Sequence, residues 1–363
     1  MPAIAAGSIT KFLLYDVAEA IDLAVVRRQL TAGSQTQPAL KPRIPPYIGL
    51  GHLPVSIDGT ALGLADVQGF HLRLKAFDYG VVSLALTRPA PHEWSALLAD
   101  SVRLHDDAEL AAAGERACRA ALERIAPALV RPRAEWLTED YLVITATRFE
   151  AALTAGELLA VHGAEIAQLL RGEREHLSDQ ERDDVLRHRV SYLTTDLVIP
   201  TWNGAFVFDT EPGAEGILEI LEFANSQLLE FRYYDRLLDE ELERIYERLQ
   251  QPASFSNWFG RRFTRAARHV HALFIDVNEL TDKTENAIKI AGDVYGARLF
   301  SLVAGRLGLD HWKGNVREKL RTLDDIYRFA VEQTSMARGE LLELAIVLIL
   351  VFELVLFFAG VMR

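Results

Sequence analysis

Residues 70–87, FHLRLKAFDYGVVSLALT, set the class of the fold. From Phe70, and again from Tyr79, large apolar residues fill alternate positions, the period of a strand with two unlike faces. The two runs are joined by a tight turn near Asp78, so they predict a pair of neighbouring strands. Working outward, ITKFLLYDVA (9–18) and EWLTEDYLVITATRF (135–149) also read as strands. Shorter strands are expected at Leu197–Ile199 and Phe206–Asp209. Helical periods lie between them, at Glu19–Leu30, 91–101, Asp106–Ile125, 154–172 and 178–190, the last with Ser178 as its N-cap. The proline-rich stretch Gln35–Pro46 suits a loop. Strands and helices that do not alternate strictly predict an α+β domain over residues 1–212 rather than a doubly wound sheet.

Beyond residue 212 the pattern changes. Ile217, Leu221, Ala224, Leu228, Phe231, Asp235, Leu238, Leu242, Ile245 and Leu249 recur at spacings of three and four, a heptad seam broken at Asp235. A second seam runs from Phe263 to Val294, and a third from Leu320 to Ala337. Residues 213–340 therefore predict a coiled-coil-like helical hairpin, turning in the 250s, and a stalk. Packing within the chain and packing between copies both satisfy such seams, so a homo-oligomer stays open.

Residues 341–362, LLELAIVLILVFELVLFFAGVM, are almost wholly apolar. A helix of that length covers the ~30 Å hydrocarbon core of a bilayer. We expect one transmembrane helix there, tail-anchored. Arg317, Lys319, Arg321, Arg328 and Arg338 precede it and Arg363 follows, a bias that keeps the N-terminal bulk in the cytoplasm, at the inner membrane. Glu343 would reach the interface; Glu353 sits in mid-span, where a carboxylate is protonated or hydrogen-bonded to a second membrane helix. The first 26 residues resemble neither a secretory signal nor a transit peptide. A single cysteine, Cys118, excludes an intramolecular disulfide framework.

The net charge of −12 across 363 residues argues against a general nucleic-acid-binding surface. Phosphate cradles, dinucleotide fingerprints, HExxH and GxSxG are absent from the sequence, so an enzyme, a metal site and a cofactor are not expected. Two cationic groups remain. Arg261, Arg262, Arg265 and Arg268 follow Trp258 and Phe259 and suit RNA phosphate contacts, or pairing with the acidic 239–247 helix. Arg187, His188 and Arg189 end a helix before Asp196; they suit a partner surface, or capping of that helix.

LRHRVSYLTTDLVIP (186–200) and LLELAIVLILVFELVLFF (341–358), with QLLEFRYYDRLLDEEL (227–242) and AFDYGVVSLAL (76–86), resemble the family of proteins "required for meiotic nuclear division". That resemblance implies no catalytic residues. It implies an inner-membrane protein that supports translation of organelle-encoded membrane proteins by tethering ribosomes, here as a bacterial member in the cytoplasmic membrane. The expectation is a non-enzymatic membrane scaffold that presents its cytoplasmic domain to a protein or ribonucleoprotein partner. The alternative is an oligomeric transport or channel component with Glu353 in the membrane.

Overall fold

The computed structural model describes residues 3–31, 54–64, 66–250, 272–278, 280–281 and 294–358. Its strands are β1 (Ile4–Ile21), β2 (Val55–Asp58), β3 (His71–Ala76), β4 (Val81–Pro89), β5 (Leu129–Phe149), β6 (Leu197–Pro200) and β7 (Gly204–Phe208). Its helices are α1 (Leu23–Thr31), α2 (Trp94–His105), α3 (Ala108–Arg124), α4 (Ala155–Arg171), α5 (Asp179–Arg187), α6 (Glu211–Gln250), α7 (Val294–Leu307) and α8 (Leu309–Phe358). The chain divides into two compact units, Met1–Tyr233 with Thr281–Lys313, and Tyr234–Leu280 with Gly314–Arg363.

The first unit is built on one seven-stranded sheet in the order β2-β3-β4-β1-β5-β7-β6. Every pair is antiparallel except β5 with β7. This is the mixed α+β class that the strand and helix order predicts. The 70–87 hairpin forms β3 and β4, with Leu72 opposite Leu86 and Leu74 opposite Leu84. Its turn needs Gly80, which holds φ at 93°; a Cβ there would lie 1.9 Å from the Ala18 carbonyl oxygen.

Alternation along the strands sorts side chains onto two faces. Leu13, Leu72, Leu74, Leu84, Leu86, Leu142, Ile144 and Phe206 join a core closed by Leu97, Leu104, Leu110, Cys118, Leu158 and Ile166 from α2, α3 and α4. Phe12, Leu14, Lys75 and Ser83 fall between those positions and are equally buried. They belong to the face on which α6 is hydrogen-bonded to the sheet through Lys75 and Tyr79.

The start of the chain departs from expectation. Glu19–Ile21 continue β1, with Ala20 opposite Val130 and Ile21 opposite Leu129, and α1 begins only at Leu23. The stop is Asp22, whose carboxylate accepts from the amides of Ala24 and Val25 at 2.9 and 3.0 Å. A capping carboxylate outcompetes helix propensity in the residues before it. Ser178 caps α5 as expected, accepting from the Glu181 amide at 3.2 Å.

In the second unit, Leu238 and Ile245 of α6 are buried, with Leu273, Val277 and Leu280, and Val316, Leu320, Leu323 and Tyr327 of α8. The seams thus mark buried helix faces. The break at Asp235 is filled: Lys319 of α8 lies 2.7 Å from both Asp235 and Asp239. The expected turn in the 250s, the loop Gln35–Pro46 and most of the second seam lie outside the described residues.

Candidate functional site

The segment after α5 is built mainly by its own hydrogen bonds. Arg189 Nη1 donates to the Leu186 carbonyl at 2.6 Å, and Arg187 lies 3.7 Å from Asp184. Both contacts serve the helix end, where the orphan carbonyls favour cations. His188 is the C-cap residue. Asp196 is buried, and its two oxygens accept from the amides of Tyr192 at 2.7 Å and Leu193 at 2.6 Å. Arg298 donates to the Ser191 carbonyl at 3.2 Å, and the Ala155 amide to that of Thr194 at 2.7 Å.

This bonding displays Tyr192 and Leu193, which are 70% and 60% exposed. Arg189 and Asp196 thus shape this segment, while Arg187, 68% exposed at its side chain, and the apolar pair face outward. The pair's one sequence signal is an apolar doublet set among Ser and Thr, ahead of an aspartate. Asp196→Ala is expected to cost about 1–3 kcal/mol, because the amides of Tyr192 and Leu193 lose a charged, buried acceptor. Urea unfolding measures that cost; a loss below about 0.5 kcal/mol would contradict the role given to the carboxylate.

A second assembly lies between the sheet and α6, where every residue from Leu221 to Phe231 is buried. Lys75 Nζ is 2.5 Å from Glu219 Oε2 and from Glu222 Oε2, and Arg73 approaches Glu222 at 4.0 Å. One turn on, the Tyr79 and Ser226 hydroxyls are 2.6 Å apart. Arg133 Nε donates to Asp16 Oδ1 at 2.8 Å, its guanidinium 3.6 Å from the centre of the Tyr233 ring. Arg232 pairs with Glu139.

Taking carboxylates this far out of water costs several kcal/mol each unless cations and donors repay it. The sheet supplies those partners at the i, i+3 and i, i+4 positions of one helix face. Burial holds the Tyr79 hydroxyl well above its usual range, so it stays protonated. Burial likewise raises the Cys118 thiol far above the range of a nucleophile. Among the described residues no group of three or more His, Cys, Asp or Glu side chains is placed to hold a metal ion.

The third feature is the end of α8, which runs unbroken from Leu309 to Phe358. Ile346, Val347, Leu348, Ile349, Leu350, Val351, Phe352, Leu354 and Val355 are all between 51% and 64% exposed. Glu353 stands exposed among them. Ten residues cover about 15 Å of helix, half of a hydrocarbon core. Among the described residues no helix is long and apolar enough to cross a membrane. The side chain of Glu343 and residues 359–362 lie outside the described residues, as do Arg261, Arg262, Arg265 and Arg268.

The family described as "Uncharacterized protein MJ0711, N-terminal domain" matches residues 6–215. A relative, the uncharacterized protein MJ0711 of Methanocaldococcus jannaschii, is 24% identical over 196 residues, which are 54% of this chain. The matched part covers 59% of that relative's length. No solved structure matches the chain.

Proposed function

The chain belongs to the MJ0711 N-terminal domain family, and from that premise we propose that the family domain is the cargo of a non-enzymatic membrane scaffold. The match ends at residue 215; beyond it α6 up to Tyr233 and α7 still belong to the first unit, and α8 after Lys313 is the part that serves attachment. The observation that carries the reading is the Ile346–Val355 stretch, exposed at every position and apolar at all of them except Glu353. A partner helix covers one stripe of such a cylinder. Hydrocarbon covers all of it, at roughly 25 cal/mol per Å² of apolar surface removed from water.

Extended over residues 341–362, the segment is long enough to span. The Tyr192–Leu193 loop and the arginines at 187 and 189 then present a partner surface in the cytoplasm. Lys319 counts little toward the flanking positive charge, since Asp235 and Asp239 neutralise it; Arg317, Arg321, Arg328 and Arg338 carry the bias. The resemblance to the "required for meiotic nuclear division" family points to the translation machinery as partner, with Arg261, Arg262, Arg265 and Arg268 as RNA contacts.

Flotation tests the membrane part. Full-length protein mixed with vesicles of phosphatidylethanolamine and phosphatidylglycerol should rise with them and resist alkaline carbonate; protein that stays at the bottom of the gradient refutes the tether. Low-salt purification from solubilised membranes tests the partner, because ribosomal RNA should co-purify and reversal of the four arginines should abolish it. The channel reading rests on the exposure of Glu353 within the apolar stretch. It requires a fixed oligomer in which a cysteine at 353 crosslinks to its copy.

A further inference from the structure

The tip at Tyr192 and Leu193 is braced from behind. Asp196 accepts from both of its amides, Arg298 donates to the Ser191 carbonyl, and the Ala155 amide donates to that of Thr194. The Tyr192 ring lies 5.6 Å from that of Tyr295. A loop held in this way loses little conformational freedom when it docks. Around the tip Arg187, Arg189 and Arg298 are exposed. Asp184 reaches Arg187 at 3.7 Å, whereas Arg189 and Arg298 have no carboxylate partner among the described residues. Between residues 187 and 196 the sole carboxylate is Asp196, which is buried. An apolar tip in a cationic rim therefore faces water, in a chain whose net charge is −12.

The inverse of that surface lies on α6, in the other compact unit. Glu243, Tyr246 and Glu247 are exposed, and spacings of three and four residues put them on one face of the helix. The acids beside them are already matched: Asp239 by Lys319, and Glu240 and Glu241 by Arg244. Glu243 and Glu247 have no ion pair among the described residues. Here an exposed tyrosine stands in an anionic face.

We propose that the Tyr192–Leu193 tip of one copy, with Arg187, Arg189 and Arg298, docks on the face of Glu243, Tyr246 and Glu247 of a second copy. The chain itself carries the complement of its cationic rim, so a second copy is the occupant. Opposite charges steer the encounter and penalise wrong partners. Contact of the apolar groups then removes two tyrosine rings and a leucine from water. The two surfaces differ, so the contact is heterologous: copies join head to tail, in a ring or an open row, rather than stopping at a two-fold pair. The inference goes beyond the scaffold reading and does not need the tether, although a shared membrane would raise the effective concentration of the copies.

The test uses full-length protein in a non-ionic detergent, which covers the apolar tail without screening charge, and follows mass by sedimentation equilibrium. Wild type should associate at ~50 mM salt and disperse at about 0.5 M. Tyr192→Ser with Leu193→Ser leaves the backbone bonds of the loop in place, and Glu243→Arg with Glu247→Arg breaks no ion pair among the described residues. Each double variant should keep the wild-type urea midpoint and associate at least roughly tenfold more weakly. Mixed together, the two should pair one to one and stop there, because each keeps the surface that the other has lost. A wild type that stays monomeric up to about 100 µM overturns the proposal. So does either variant associating as strongly as wild type, or a mixture in which the two do not pair. If a monomeric wild type shows slowed hydrogen exchange at residues 190–195 with poly-L-glutamate, or with phosphatidylglycerol vesicles, the tip belongs to a foreign acidic protein or to lipid, and the proposal falls.

Discussion

Lys75→Met should destabilise the first unit by about 3–5 kcal/mol, the cost of leaving a buried carboxylate without its cation. Lys75 is 5% exposed at its side chain and Glu222 is 0%, with both Glu219 and Glu222 within 2.5 Å of the ammonium. After the substitution Arg73 remains, 4.0 Å from Glu222 and itself 39% exposed. Such a loss is a large share of the 5–15 kcal/mol that holds a typical domain. Methionine matches the lysine stem in length, so lost packing contributes little. Adding Glu222→Gln should restore roughly half, because the double variant no longer buries an unpaired charge. As a control, Arg119→Met removes an exposed pair with Glu115 and a contact over the Trp136 ring, each worth at most about 1 kcal/mol, and should shift stability by less than about 2 kcal/mol. Urea unfolding of all four proteins checks this; equal costs at Lys75 and Arg119 would mean that the polar seam is not the lock we describe.

The second large effect concerns membrane attachment. Leu350→Arg combined with Val351→Arg places two guanidinium groups in the middle of the apolar stretch. Each charged residue at a helix centre raises the cost of insertion by about 2.5–3.5 kcal/mol. Together they should weaken partitioning on the order of 10⁴-fold, enough to move the protein from the floating fraction to the soluble one. A Leu350→Ile, Val351→Leu variant should float like wild type. The sheet should be untouched, since both positions lie far along α8 from Lys313, where the first unit ends; far-ultraviolet circular dichroism and the urea midpoint of the first unit verify that. If the double arginine variant still floats, lipid does not hold this helix.

Part of this architecture was legible residue by residue. Alternation at 70–87 and 135–149, the cap at Ser178 and the three-four spacing from Ile217 onward each follow from local geometry, and each appears in the fold. Where a competing local bond intervened, the reading slipped. Asp22 stops α1 from starting at Glu19, and a bulge of residues 133–136 in the β1–β5 ladder lets β5 start at Leu129 instead of Glu135. At the candidate surface the capping alternative has its contacts in the fold, with Arg189 on the Leu186 carbonyl at the end of α5, whereas the inward turn of Asp196, which shapes the loop exposing Tyr192 and Leu193, depends on bonds that no local period announces.

The order of amino acids was sufficient to say which side chains share a strand face or a helix stripe, because periods of 2 and 3.6 are properties of a single segment. It was also sufficient to mark residues 341–362 as almost wholly apolar, because that depends on composition alone. It could not say that the face carrying Arg73 and Lys75 would be roofed over. On an isolated strand those residues look solvated, as do Glu222 and Glu230 on an isolated helix. Only when α6 lies across the sheet does water leave, and the same charges become an interior network whose partners stand 144 and 147 positions apart in the chain.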